Sequence, residues 1–240
     1  LNADTKLPYE NTNNPHEDWN PPGHGECYSA LAHSGIAQTL LDQGIDYLFI
    51  SNSDNLGATI DPCILGHMIA HEYSFLIEET PKTQADIKGG TIIQNSDNRL
   101  SLLEIAQVPD AHVKDFMDPK QFPYFNTNTI WIYLPKLMQL LKEKKLKTSL
   151  IVNPKYIDGQ AVIQLESAMG SAIQCFEKAH ILIVPRSRFL PVKKTSDLLL
   201  LRSDLYEEKE GTLYPSSDKQ ALPTITLAPP LSTIQDLNKH

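Results

Sequence analysis

Apolar residues gather in short runs divided by polar turns, and the runs alternate between helical and strand spacing. Residues 1–20 are polar and rich in Asn, Pro and Asp, which predicts irregular surface chain, and PPGHG at 21–25 predicts a rigid turn. Leu31, Ile36, Leu40 and Leu41 recur near helical spacing, predicting a helix over 27–43 that Gly44 stops. YLFI at 47–50 reads as a buried strand ending in the polar SNSDN. Asp61 and Pro62 suit the start of a helix running to about His71. A second buried strand is expected at 74–77, a turn at 88–90, and a hairpin from 91–94 and 100–106 with NSDN at its tip. A short helix at 110–117 and a strand at 124–131 follow. An amphipathic helix at 134–145 then ends in lysines that suit its dipole. The pattern further predicts strands at 149–152 and 181–184, with the longest helical stretch, 161–178, between them. The apolar run 198–201 has no diagnostic period. From residue 207 the chain turns polar and rich in Pro and Ser, the composition of a linker or tail.

Alternating short strands and helices predict an α/β fold with a mostly parallel sheet and a ligand site at the carboxyl ends of its strands. The chain has 240 residues, 41% of them hydrophobic, enough for one large domain or two small ones. Its net charge of 21 − 29 = −8 argues against a general nucleic-acid binder. A few cations placed in a cleft would still serve a phosphate. Cys27, Cys63 and Cys175 fit neither a zinc pattern nor a paired disulfide framework, so reduced thiols and a cytoplasmic location are expected. No apolar run approaches a membrane span. The opening residues do not resemble a signal peptide, and without an initiator Met they read as cut from something longer.

Several positions suggest chemistry. Asp54, among Asn52, Ser53 and Asn55 after the 47–50 strand, is either a Mg²⁺ ligand or the cap of the next turn. Gly23 allows close backbone approach to a ligand, and His24 either bonds a phosphate or sugar oxygen or faces solvent. Asn126 and Asn128, flanking Thr127, would share one strand face and grip a polyhydroxylated ligand, or else form a satisfied turn. Glu104 either accepts sugar hydroxyls or is a strand-edge charge. PRSRFLPVKK at 185–194 is an anion-binding loop or a solvated basic patch. No Ser-His-Asp order, telling Cys-His pair or phosphate-binding GxxxxGK loop is present.

Read in order, PPGHG (21–25), SNSDNLGATID (51–61), KTQADIKGGT (82–91), EIAQVP (104–109), FNTNTIWI (125–132), VIQLESAMGSAI (162–173) and PRSRFLPVKKTSDLLLL (185–201) resemble the UDP-glucose pyrophosphorylase family. The resemblance runs from about residue 20 to residue 206, and so many collinear motifs are highly specific. It implies a Rossmann-like nucleotidyltransferase core of the glycosyltransferase-A kind, with a mixed, mostly parallel sheet and helices on both faces. The implied domains are an irregular segment at 1–20, a partial catalytic core at 21–206 and a linker at 207–240.

The implied reaction makes UDP-glucose and pyrophosphate from UTP and glucose 1-phosphate, with Mg²⁺ as cofactor. Gly23 resembles the glycine near the uracil, and His24 the histidine near the sugar phosphate. Asn52 and Ser53 match ligand-contacting positions, Ser53 through its backbone, and Asp54 matches the metal-binding aspartate. Gly90, Glu104, Asn126, Thr127 and Asn128 resemble the sugar contacts, though the family often has Asn where this chain has Thr129. Lys193 resembles the phosphate-contacting lysine and is the implied catalytic residue. The family's GGLGT-type loop and its C-terminal β-helix, a route to homo-oligomers, are absent from these residues. The resemblance therefore implies a middle fragment, inactive or nearly so alone. Two other readings remain: a non-catalytic chain that only binds sugar nucleotide or a partner chain, and a pyrophosphorylase of broader sugar choice.

Overall fold

The computed structural model describes residues 1–10, 18–84, 86–216, 223 and 225–228. Its centre is a four-stranded sheet of β1 (Tyr47–Ile50), β2 (Phe75–Pro81), β5 (Tyr124–Tyr133) and β8 (Ala179–Ile183), in the order β1-β5-β2-β8. β5 pairs antiparallel with both β1 and β2, and β2 pairs parallel with β8. Three of the four strands therefore run one way and β5 runs against them. β3 (Thr91–Gln94) and β4 (Leu100–Leu103) form the expected hairpin.

Both sheet faces are covered. Phe75, Ile77, Ile130 and Ile132 pack against Tyr28 of α1 (Cys27–His33), Ala37 of α2 (Ile36–Asp42) and Leu134, Leu137 and Leu140 of α5 (Leu134–Lys142). Leu76 and Trp131 point the other way, onto Ile64 and Met68 of α3 (Pro62–Ala70). This split follows from the two-residue period of a strand. Asp61 caps α3 by accepting the Cys63 N–H at 2.8 Å, with Pro62 in the first turn. The short helix expected at 110–117 is a 3-10 turn followed by α4 (Val113–Phe116).

Four local expectations are corrected, and the unassigned run at 198–201 finds its element. The helix over 27–43 is two helices, because Gly35 between them takes φ 76°. The expected helix over 161–178 is β7 (Gln160–Ser167) followed by the 3-10 segment Met169–Cys175. β7 pairs with β6 (Leu150–Ile157) across Asp158 and Gly159, at φ 49° and 79°. Two positive-φ residues in a two-residue turn are the hairpin geometry that an Asp-Gly pair favours, and strand pairing overrides the ambiguous apolar spacing. The run at 198–201 belongs to α6 (Thr195–Leu201). The stretch expected to be linker opens with a hairpin of β9 (Tyr206–Lys209) and β10 (Thr212–Pro215), turning at Glu210 and Gly211, both at positive φ. The irregular opening is partly engaged as well: Asn2 bridges Val162, and the Leu1 amino group donates to the Ile163 carbonyl at 2.8 Å.

Candidate functional site

Because β1, β2 and β8 run the same way, the loops after them emerge at one edge of the sheet. β5 enters at that same edge, so its first residues, Tyr124–Asn128, lie there too. The sequence-predicted residues assemble at this edge in two groups.

The first group joins the loops after β1 and β8. Asn55, 5% exposed, donates to the Arg188 carbonyl at 3.1 Å and accepts from Leu190 N at 2.8 Å and Gly57 N at 3.1 Å. The Val192 N–H donates to the Asp54 carbonyl at 2.9 Å. This pairing places the Lys193 ammonium 3.9 Å from the Asp54 carboxylate, with Asn52 half-buried and Ser53 exposed alongside.

The second group surrounds a bulge in β5. Glu78 pairs with Thr129 and Glu79 with Asn126, so Thr127 and Asn128 are extra residues on β5. Asn128 takes φ 56°. The two amides meet through this bulge rather than along a regular strand: Asn126 Nδ2 donates to Asn128 Oδ1 at 3.0 Å, and Asn128 N to Asn126 Oδ1 at 2.9 Å. Asn126 N also donates to the Gly90 carbonyl at 2.8 Å. Gly90 packs against the Glu104 carboxylate: a Cβ there would lie 2.6 Å from Oε1, so Glu104 would have to shift. Glu104 is half-buried, and that burial raises its pKa. Thr127 does not join its neighbours: it is 1% exposed and its hydroxyl donates to the Glu78 carbonyl at 2.8 Å.

PPGHG reaches the second group through the end of β7. Ser167 N donates to the Pro22 carbonyl at 2.8 Å, and Met169 N donates to His24 Nδ1 at 2.9 Å. His24 is therefore a neutral imidazole carrying its proton on Nε2. Burial of the ring lowers its pKa, which the Glu166 charge partly opposes. Gly170, next to Met169, packs on Asn126: a Cβ there would meet Asn126 Nδ2 at 3.2 Å. Phe125 and Phe189, 5.0 Å apart edge to face, join the two groups.

Sequence reading missed two buried carboxylates beside the bulge, Glu78 and Glu79. The only signal was a pair of acids, EE at 78–79, directly after an apolar run. Glu79 accepts the Ile92 N–H at 2.7 Å and so anchors the hairpin that follows Gly90. Burial pushes its pKa from 4.5 up to about 7. The folded state thus holds this proton more tightly than the unfolded chain. The resulting stability is complete below pH 4.5 and is lost as pH rises through about 7. Glu79→Gln keeps the acceptor for Ile92 and removes the buried charge. It is expected to stabilise the fold at pH 8 by about 1–3 kcal/mol, and by little at pH 4.5. Urea midpoints at the two pH values check this, and a pH-independent difference would contradict it.

Asp54 sets a carboxylate 3.9 Å from the Lys193 ammonium in the first group. Magnesium often takes one or two protein carboxylates and completes its shell with phosphate oxygens and water, so the donor set fits a metal that arrives with phosphates. Among the described residues no cluster of three His, Cys, Asp or Glu side chains is placed to hold a metal by itself. No helix there is long and apolar enough to cross a membrane.

Solved structures share this fold. UDP-glucose phosphorylase from Trypanosoma brucei matches with a TM-score of 0.83 and 39% identity, covering 90% of this chain and 48% of that one. A variant of UDP-glucose pyrophosphorylase from Leishmania major, solved in complex with UDP-glucose, matches with a TM-score of 0.81 and 41% identity, covering 90% and 49%. The fold is thus an α/β fold of the nucleotidyltransferase type. A family model described as UTP–glucose-1-phosphate uridylyltransferase matches residues 1–240, and the chain belongs to that family. The barley (Hordeum vulgare) UTP–glucose-1-phosphate uridylyltransferase is 50% identical over 215 residues, covering 89% of this chain and 45% of the barley protein. The probable enzyme of that name from Schizosaccharomyces pombe is 44% identical over 247 residues, covering 100% and 49%. The chain spans about half the length of the relatives it matches.

Proposed function

We propose that the polypeptide carrying this chain joins UTP and glucose 1-phosphate into UDP-glucose and pyrophosphate. The observation that carries the reading is the Asp54–Lys193 pair, 3.9 Å apart on adjoining loops at the carboxyl edge of the sheet. At that distance, on a half-exposed rim, both charges can turn to a ligand.

A phosphate oxygen of glucose 1-phosphate attacks the α-phosphorus of UTP in line. The new P–O bond forms as the bond to pyrophosphate breaks, and pyrophosphate carries away the leaving electron pair. Such chemistry is governed by positioning and charge neutralisation. Lys193 neutralises phosphate oxygens, and the amides of Asn126 and Asn128, with Glu104, offer hydrogen-bond partners to sugar hydroxyls. His24, protonated on Nε2, offers a donor to a phosphate or sugar oxygen. The Gly23 and Asn52–Ser53 backbone allows close approach. Thr127 contributes through the bulge rather than by touching the ligand. Asp54 would hold Mg²⁺, which when bound offsets charge building on the phosphates.

The proposal extends to a catalytic core over 21–206, to a cytoplasmic location, and to homo-oligomers formed through parts beyond these residues. Three free cysteines suit a reducing compartment. No observation favours broad sugar choice or a purely binding role.

Calorimetry of the complete polypeptide with UDP-glucose and UDP-N-acetylglucosamine, with and without Mg²⁺, tests the reading. Selective binding of UDP-glucose is expected. Equal binding of the two would remove the glucose assignment.

A further inference from the structure

We propose that the buried Glu78–Arg188 pair is a latch that sets where Lys193 stands relative to Asp54. Its effect on turnover rests on the uridylyl-transfer reading above, whereas its effect on loop geometry does not.

Glu78 is fully buried, at 0% exposure on β2. Both its oxygens are used. Arg188 Nε donates to Oε2 at 2.7 Å and Arg188 Nη2 to Oε1 at 2.8 Å, a bidentate fork. The Trp131 indole N–H donates to Oε1 at 2.8 Å. Arg188 Nη2 also donates to the Thr59 carbonyl at 2.9 Å, and Nη1 lies 3.9 Å from Asp61. One guanidinium therefore holds the sheet, the end of the 51–61 loop and the start of α3 together.

A buried ion pair is a costly way to gain stability, since apolar packing of the same volume often does as well. What the pair supplies here is direction. A guanidinium fork on a carboxylate fixes orientation, which a point charge does not. The backbone of Arg188 also belongs to the loop that carries Lys193. From Arg188 onward that loop is laced to the 52–57 segment by Asn55, by Leu56 N on the Leu190 carbonyl at 3.1 Å, and by Val192 N on the Asp54 carbonyl. Gly57 permits the contact, because a Cβ there would lie 2.5 Å from the Ser187 carbonyl oxygen. The two loops thus form one unit, and Arg188 is the side chain that bolts it to the sheet. Lys193 and Asp54 stand at the far end of that unit from the bolt. The Glu78 and Arg188 side chains bond each other, Trp131 and Thr59 rather than a predicted ligand-contacting side chain, so they are positioning residues.

The test uses the complete polypeptide with Arg188→Lys, which keeps the charge and loses the fork, and Glu78→Gln, which keeps the shape and the acceptor for Trp131. Amide exchange is followed at Leu190 and Val192, whose partners are Asn55 and Asp54, with Ile132 in β5 as reference. For Arg188→Lys, exchange at least tenfold faster at Leu190 and Val192 is expected, with Ile132 unchanged. The accompanying fall in kcat is expected to be at least tenfold and larger than any change in KM. Glu78→Gln should give the same pattern to a smaller degree, and it decides the matter if Arg188→Lys does not fold. Parent-like exchange at both amides in a folded variant would overturn the latch, and so would unchanged kcat beside an active parent. A parent that makes no UDP-glucose would overturn the functional reading alone, because the exchange data would still decide the latch.

Discussion

Lys193→Ala in the complete polypeptide lowers turnover by about 10²–10³-fold while leaving the fold close to parent stability, on the scale of losing one donor that acts on transition-state charge. Its side chain is 66% exposed, with its ammonium 3.9 Å from the Asp54 carboxylate. The structural work at this position belongs to the backbone, since Lys193 N and Lys194 N donate to Asp197 Oδ2 at 2.9 and 2.8 Å. A truncation at Cβ leaves those bonds in place. Surface changes of this kind shift stability by about 0.5 kcal/mol or less. Steady-state kinetics beside thermal melting separate the two effects. Parent-like kcat would remove Lys193 from the site, and a large fall in melting temperature would make its role structural.

Gly23→Ala should carry the largest stability cost of any single methyl added at the site, about 2–4 kcal/mol from backbone strain and overpacking together. Gly23 takes φ 88°, a conformation that side chains disfavour. A Cβ there would also lie 2.4 Å from the Ser167 carbonyl oxygen and 2.6 Å from its nitrogen. Both obstacles are backbone atoms at the end of β7, so neither can rotate away. Relief requires the 21–25 turn to lift off β7. That would break the bond from Ser167 N to the Pro22 carbonyl and the bond from Met169 N to His24. Denaturant unfolding measures the cost, and faster amide exchange at Ser167 and Met169 locates it. A cost below about 0.5 kcal/mol would mean that the turn is not held as described.

Much of this was legible from local pattern. The strand over YLFI, the cap at Asp61 with Pro62, the NSDN hairpin and the amphipathic helix with its basic end each rest on neighbouring residues, and each is present. What failed depended on distant partners. Apolar spacing over 161–178 reads as a helix, and pairing with β6 makes its first part a strand. The Asp158-Gly159 pair was the available hairpin signal, and Glu210-Gly211 was the weaker one for β9 and β10.

The candidate site follows the same division. Asp54, Asn126 and Lys193 could be named from their motifs, and the structure places them at one sheet edge. The β5 bulge could not be foreseen, because it exists only against Glu78 and Glu79 of β2. It turns Thr127 inward and brings the two asparagines together. Arg188 read as one more cation in a basic loop, and only its buried partner on another strand gives it a role.

The most direct test of the central claim is product formation by the complete polypeptide supplied with UTP, glucose 1-phosphate and Mg²⁺, with Asp54→Ala beside it. UDP-glucose and pyrophosphate appearing in equal amounts, and falling sharply in the variant, is the predicted result. A folded polypeptide that forms no UDP-glucose, or an Asp54→Ala variant as active as its parent, would contradict the account.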